Sequence, residues 1–164
     1  MRLKVLKEPN PILRQKTVKI KDPLDKKIQD LILNMLETMY AENGVGLAAP
    51  QVGISLRLCV IETDSNQHVL INPQITAKST SKIISEEGCL SVPNKWFPIS
   101  RYSEVQVRYT DEFGKPRKIK GQGLLARALQ HELDHLDGLL ILDRIKKSAL
   151  RAPKKPTRAP LIKK

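Results

Sequence analysis

Gln130-His131-Glu132-Leu133-Asp134-His135-Leu136-Asp137-Gly138 decides the reading of this chain. Leu124, Leu125, Ala128, Leu129, Leu133 and Leu136 follow helical steps from Gly123 to Leu136. Gly138 lies where a C-terminal cap is expected. On such a helix His131 and His135 share one face, one turn apart, so both imidazoles can reach one metal ion. Glu132 is then left to handle the proton of a water molecule rather than bind the ion. The plain alternative is an exposed helix face that happens to carry two histidines. With only three histidines in the chain, that placement by chance is rare.

Two histidines do not close a site. A catalytic zinc-type centre needs a third protein ligand and an open position. The pattern H-E-x-x-H-x-x-G-x-x-H holds through Gly138 but ends on Ile141, which cannot ligate, and no Glu follows Glu132. His68 sits beside a strand-like run and reads as a surface or satisfied residue. That leaves upstream carboxylates and the cysteines. Cys59, in Leu58-Cys59-Val60-Ile61, reads as a small core residue. Cys89, in Glu86-Glu87-Gly88-Cys89-Leu90-Ser91, has no context that asks for burial. It reads as the third ligand, held as thiolate by a metal, with a free thiol or a catalytic nucleophile as competitors.

Outward from this helix, Asp22-Pro23 predicts a helix start. Leu24, Ile28, Leu31, Ile32, Met35, Leu36, Met39 and Tyr40 then mark one face of a long amphipathic helix ending near Asn43-Gly44. Strand-like runs cover Arg57 to Glu62 and His68 to Asn72, with a turn at Thr63 to Gln67. Tyr102 to Thr110 alternates and turns through Asp111-Glu112-Phe113-Gly114 toward Lys118-Ile119-Lys120, a predicted hairpin. Strands bracketed by two helices predict an α+β domain with antiparallel sheet.

Three segments then stand in order: Gly44-Val45-Gly46-Leu47-Ala48-Ala49-Pro50-Gln51-Val52-Gly53, Glu87-Gly88-Cys89-Leu90-Ser91, and Gln130 to Gly138. Together they closely resemble the three motifs of the peptide deformylases, and the resemblance runs from Val5 to about Asp143. It implies the α+β deformylase fold, with antiparallel sheets packed around a central helix that carries the metal motif. It implies hydrolysis of the formyl group from the formyl-methionine N terminus of new polypeptides. It implies one divalent ion per chain on Cys89, His131 and His135, usually Fe²⁺, with Ni²⁺, Co²⁺ or Zn²⁺ able to substitute. Position for position, Gln51, the Leu90 N–H and Glu132 match the family's catalytic groups. Val45 and Gly46 match the loop whose backbone pairs with the peptide, and the glycines at 44, 46 and 88 let backbone approach it. Trp96 departs from the pattern, standing where some members carry an arginine at the substrate site.

The chemistry agrees with these roles. A formamide carbonyl is a poor electrophile that a divalent metal can polarise. Glu132 suits proton transfer, and Gln51 and the Leu90 N–H suit an oxyanion. Two other functions compete: an endopeptidase on the same helix motif, and a basic ribosome- or RNA-binding protein with a structural metal. The first lacks its third His or Glu; the second wants four ligands, and only three are found.

The 164 residues suit one domain. Aromatics are 4%, so the core is expected to be aliphatic. The net charge of +12 is concentrated in residues 144–164, which hold nine Lys or Arg and no Asp or Glu, so the body is only mildly basic. The expected division is a catalytic domain, 1–143, and a basic, flexible tail, 144–164. Pro153, Pro156 and Pro160 argue against a continuous helix beyond about Ala152. Such a tail suits electrostatic contact with the ribosome. No membrane or DNA partner is expected, since no apolar run approaches a membrane span. Two cysteines and a start without a secretory pattern point to a reducing compartment, the bacterial cytoplasm, with an organelle matrix left open.

Overall fold

The computed structural model describes residues 1–149, with side chains as far as Ile145. In chain order the elements are α1 (Lys26–Ala41), β1 (Gly46–Ala48), β2 (Leu58–Thr63), β3 (Asn66–Lys78), β4 (Lys82–Cys89), β5 (Val92–Tyr102), β6 (Glu104–Thr110), β7 (Pro116–Gln122), α2 (Gly123–Leu136) and α3 (Ile141–Ala149). Short 3-10 turns lie at Pro11–Arg14 and Ala49–Val52. The strands form a five-stranded sheet in the order β1-β2-β3-β6-β7 and a separate β4-β5 hairpin. All of these pairings are antiparallel.

Burial along β2 explains its unbroken apolar run. Leu58 and Val60 pack with Leu31, Ile32, Met35 and Met39 of α1. Cys59 and Ile61 point the other way and pack with Ala126, Leu129, Leu133 and Leu136 of α2. The large sheet is therefore covered by α1 on one face and α2 on the other, so both side-chain sets of the strand must be apolar. On its far side α2 meets the hairpin: Gln130 exchanges hydrogen bonds with the Tyr102 backbone, both 2.9 Å. The metal-motif helix thus lies between two antiparallel sheets, as expected.

Several local expectations are corrected. α1 begins at Lys26, not after Asp22: the side chain of Asp25 caps Lys27 N–H at 2.7 Å, while Asp22 closes a turn on Leu24 N–H at 2.9 Å. A second aspartate three residues on takes the cap, and Leu24 stays exposed. β3 runs through Pro73 to Lys78 because a register shift between Ile71 and Gln74 accommodates the proline. β4 and β5 carry no clean alternation and were not foreseen as strands. α3 was not foreseen either; its Ile141, Leu142 and Ile145 pack on Val92, Phe97 and Ile99 of β5. The prolines at 153, 156 and 160 lie outside the described residues.

Gly138 ends α2 with φ +75°, in the left-handed region. A Cβ there would come within 2.5 Å of Arg14 O. Gly138→Ala therefore adds backbone strain to a clash with main chain and is expected to destabilise the fold by about 3 kcal/mol. Urea unfolding at fixed metal load measures this; an unchanged midpoint would contradict it.

Candidate metal centre and catalytic site

α2 brings His131 and His135 together with Nε2 atoms 3.2 Å apart. Cys89, the last residue of β4, sets Sγ 3.3 Å from His135 Nε2. The ligand-type atoms of these three residues all lie within 4.8 Å of one another, and all three residues are buried. One sulfur and two imidazole nitrogens converging in a dry site are a donor set for a borderline-soft divalent ion. Burial, contrary to the expectation for Cys89, arises because the hairpin is closed over by Ile99 and Ile141.

Behind the histidines stands a chain of buried charges. His131 Nδ1–H donates to Glu87 Oε1 at 2.6 Å, which leaves Nε2 turned toward Cys89 and His135. Glu87 is fully buried and receives Arg101 Nε and Nη2 at 3.0 and 2.8 Å and Arg127 Nη1 at 3.1 Å. Arg101 also donates to Asp134 at 2.5 Å, and Arg144 of α3 grips the same aspartate through two bonds. Burial acts to raise the Glu87 carboxyl, but the Arg101 charge and the bonds from His131 and Arg101 hold it well below the usual range. His135 is pushed well below the ordinary histidine value by burial and then by the charge of His131. A neutral imidazole is the form a metal binds.

Glu132 sits beside this cluster, buried, with its carboxyl pushed up to about 7 by desolvation. Among the described residues its Oε2 is one of three buried side-chain oxygen or nitrogen atoms without a hydrogen-bond partner, with His135 Nδ1 and Glu8 Oε2. A Cβ at residue 46 would overlap the Glu132 carboxylate, so only glycine lets β1 pass it. Gln51 is held in the 3-10 turn after β1. Its Oε1 accepts from Ala48 N–H at 2.9 Å, which commits Nε2 to face Ser91 Oγ at 3.2 Å and Cys89 Sγ at 3.8 Å. Leu90 and Ser91 are the two loop residues between β4 and β5.

The structure thus gathers Cys89, His131, His135 and Gln51, with Leu90 next to Cys89 in the chain and Glu132 next to His131 and packed against Gly46. Val45, just before β1, has its carbonyl engaged by Glu62 N–H at 2.8 Å. Gly88 is packed differently: a Cβ there would stand 3.2–3.3 Å from the Trp96 indole. His68 stays half-buried on β3, outside the cluster. Cys59 is fully buried in the core, its thiol pushed far up by burial and then by the Glu132 charge. Sequence reasoning missed Glu87, Arg101, Arg127 and Arg144 as supports. Of these only Glu87 carried a signal, as a charged residue inside a quoted motif; Asp134, their shared partner, lay inside another.

The sequence profile of the polypeptide deformylases matches residues 2–151. The chain belongs to the peptide deformylase family. It is 49% identical over 148 residues to the peptide deformylase of Thermodesulfovibrio yellowstonii, a match that spans 87% of this chain and 88% of the relative. It is 45% identical over 151 residues to that of Dictyoglomus thermophilum, spanning 92% and 97%. The crystal structure of peptide deformylase from Thermotoga maritima superposes with a TM-score of 0.86 at 38% identity, covering 88% of this chain and 98% of that one. Members are hydrolases of protein biosynthesis that use a divalent metal and remove the N-terminal formyl group from nascent peptides, and this chain is one of them. Membership favours deformylation over the endopeptidase and RNA-binding readings.

Arg101 carries the charge balance between Glu87 and Asp134, so its removal strands two buried carboxylates. Arg101→Met is expected to destabilise the protein by about 3–5 kcal/mol. Denaturant unfolding beside the parent chain checks this; a loss under about 1 kcal/mol would show that the two acids find other partners.

Proposed function

We propose that Cys89, His131 and His135 hold the ion, that Glu132 is the proton-transfer group, and that Gln51 Nε2 and the Leu90 N–H form the oxyanion site. The observation that carries this is the orphaned, desolvated Glu132 carboxylate beside three converging ligand atoms. When bound, a divalent ion supplies Lewis-acid activation of water and of the formyl carbonyl.

The chain's own groups do the rest. Because the Val45 carbonyl is taken by Glu62, the alternation of an antiparallel pair turns the Gly46 N–H and C=O away from β2. β1 is the edge of its sheet, so Gly46 offers both groups to an extended peptide as an added strand. Val45 contributes by anchoring the register of the edge, since its bond to Glu62 fixes which way Gly46 faces, and the Gly88 backbone lines the opposite side next to Cys89. Glu132 accepts the proton of the attacking water and returns it to the amine as the C–N bond breaks; a carboxyl held near 7 suits both transfers. Gln51 cannot rotate away because Ala48 N–H holds its oxygen, so its amide N–H is fixed before charge develops on the formyl oxygen.

We assign Fe²⁺ as the resident ion, with Ni²⁺, Co²⁺ or Zn²⁺ able to replace it in a site of this donor type; metal analysis after purification without air tests the assignment. Cys89→Ala is expected to lose tight metal binding. Glu132→Gln is expected to keep the ion and lose turnover of a formyl-Met peptide by about 10²–10⁴-fold. Full metal content in the first, or near-normal turnover in the second, would overturn the corresponding role.

The two relatives named above are bacterial proteins, and among the described residues no helix is long and apolar enough to cross a membrane. The reading puts the enzyme in the bacterial cytoplasm, with the basic segment 144–164 as a ribosome contact. That segment's charge supports this, and its prolines lie outside the described residues. Truncation after Ala152 is expected to leave peptide deformylation intact and to weaken co-sedimentation with ribosomes at low salt. Identical binding of both chains would remove the contact.

A further inference from the structure

The two halves of the oxyanion site come from different sheets. Gln51 follows β1 of the five-stranded sheet, and Leu90 lies in the loop of the β4–β5 hairpin. Three consecutive residues of the N-terminal arm bridge them. Leu6 N–H donates to Gln51 O at 2.7 Å, Lys7 Nζ to Leu90 O at 2.6 Å, and Glu8 N–H to Ser91 O at 2.9 Å. Both carbonyls of the two-residue loop are therefore held from the arm, one by a backbone N–H and one by a charged side chain. Further along, Thr17 N–H and Oγ1 reach Leu136 O at the end of α2, so the arm touches all three segments that build the site.

A loop of two residues has few dihedrals. Holding the Leu90 carbonyl fixes the Leu90–Ser91 peptide plane, and with Cys89 anchored at the end of β4 this leaves the Cys89–Leu90 plane, which carries the Leu90 N–H, only the φ and ψ of Leu90 in which to turn. Of the three contacts only the central one depends on a side chain. It is a charge-assisted bond from an exposed lysine, made to the residue assigned the oxyanion N–H.

We propose that Lys7 is a positioning residue for the oxyanion site, acting by holding the Leu90 carbonyl and so limiting the swing of the two-residue loop that presents the Leu90 N–H. This rests on the assignment of Leu90 and Gln51 above. An oxyanion donor acts on the transition state and not on bound substrate, so a misaimed donor lowers kcat and spares KM. Removing such a donor typically costs about 10²–10³-fold; loosening one is expected to cost about ten-fold.

The test uses the full metal-loaded chain. Lys7→Met is expected to lower kcat on a formyl-Met tripeptide about ten-fold, with KM and metal content unchanged. Lys7→Arg, which keeps a charged donor, is expected to recover kcat to within about three-fold. Amide exchange, read in peptides spanning 88–92, is expected to rise in Lys7→Met while α2 keeps its protection. Unchanged kcat and unchanged exchange overturn the proposal, as does a kcat loss that arginine does not rescue. Gln51→Ala is measured alongside: if it is fully active, the oxyanion assignment fails, and the exchange data alone then judge whether Lys7 fixes the loop.

Discussion

Everything in this site hangs on one buried carboxylate. Glu87 has no exposed surface, yet it is charged, because Arg101 and Arg127 neutralise it from two elements. An unpaired charge at that depth would unfold the region or take up a proton. With its partners in place, the same carboxylate fixes the ring of His131 and sits two residues from Cys89. It therefore sets the distance between the hairpin and α2, which is the distance between the sulfur and the imidazoles. Arg101 extends the constraint to Asp134, and Arg144 extends it to α3. An apolar core of equal volume would pack as tightly but would not choose a rotamer for His131.

How much of this was legible follows from where the information lies. α2 was legible because helical period, motif and terminal glycine coincide in one stretch. Cys59 and Cys89 were separable by context, since Cys59 lies in a run that is apolar on both faces. The start of α1 was displaced because Asp22-Pro23 and Asp25 are both plausible caps, and only packing decides between them. The β4–β5 hairpin was not legible. Its outer face meets solvent, its inner face carries the charges Glu87 and Arg101, and it contains Pro93 and Pro98. A strand whose buried side is ionic has no hydrophobic alternation to read. Arg101 has no local signal at all, since its partners are 14 and 33 residues away.

The glycines illustrate the same limit from the side of sterics. The motif suggests close approach of a peptide at residues 44, 46 and 88. The structure adds that the Cβ position at 46 is already taken from within by the Glu132 carboxylate, while a Cβ at 44 or 88 would press on Leu90 at 3.1 Å or on the Trp96 indole at 3.2 Å. At 46 the two reasons reinforce each other. The absent side chain lets the Glu132 carboxylate lie directly behind the strand edge, and the same backbone then faces whatever pairs with that edge.

The site also belongs to neither sheet. β1 with its 3-10 turn supplies Gly46 and Gln51, the hairpin supplies Cys89 and Leu90, and α2, wedged between, supplies His131, Glu132 and His135. Backbone hydrogen bonds align residues within a sheet to a fraction of an ångström, but no ladder connects the two sheets here. Their mutual placement must come from side-chain packing on α2, from the ion-pair chain through Glu87, and from the arm that reaches Gln51, Leu90, Ser91 and Leu136 in turn. Apolar packing gives such contacts their free energy but little direction, whereas hydrogen-bonded charges and strapped carbonyls give direction. That division of labour accounts for the concentration of buried polar groups at this one junction. It is where two rigid pieces must meet in a single register for Gln51 and Cys89 to reach the two histidines of α2.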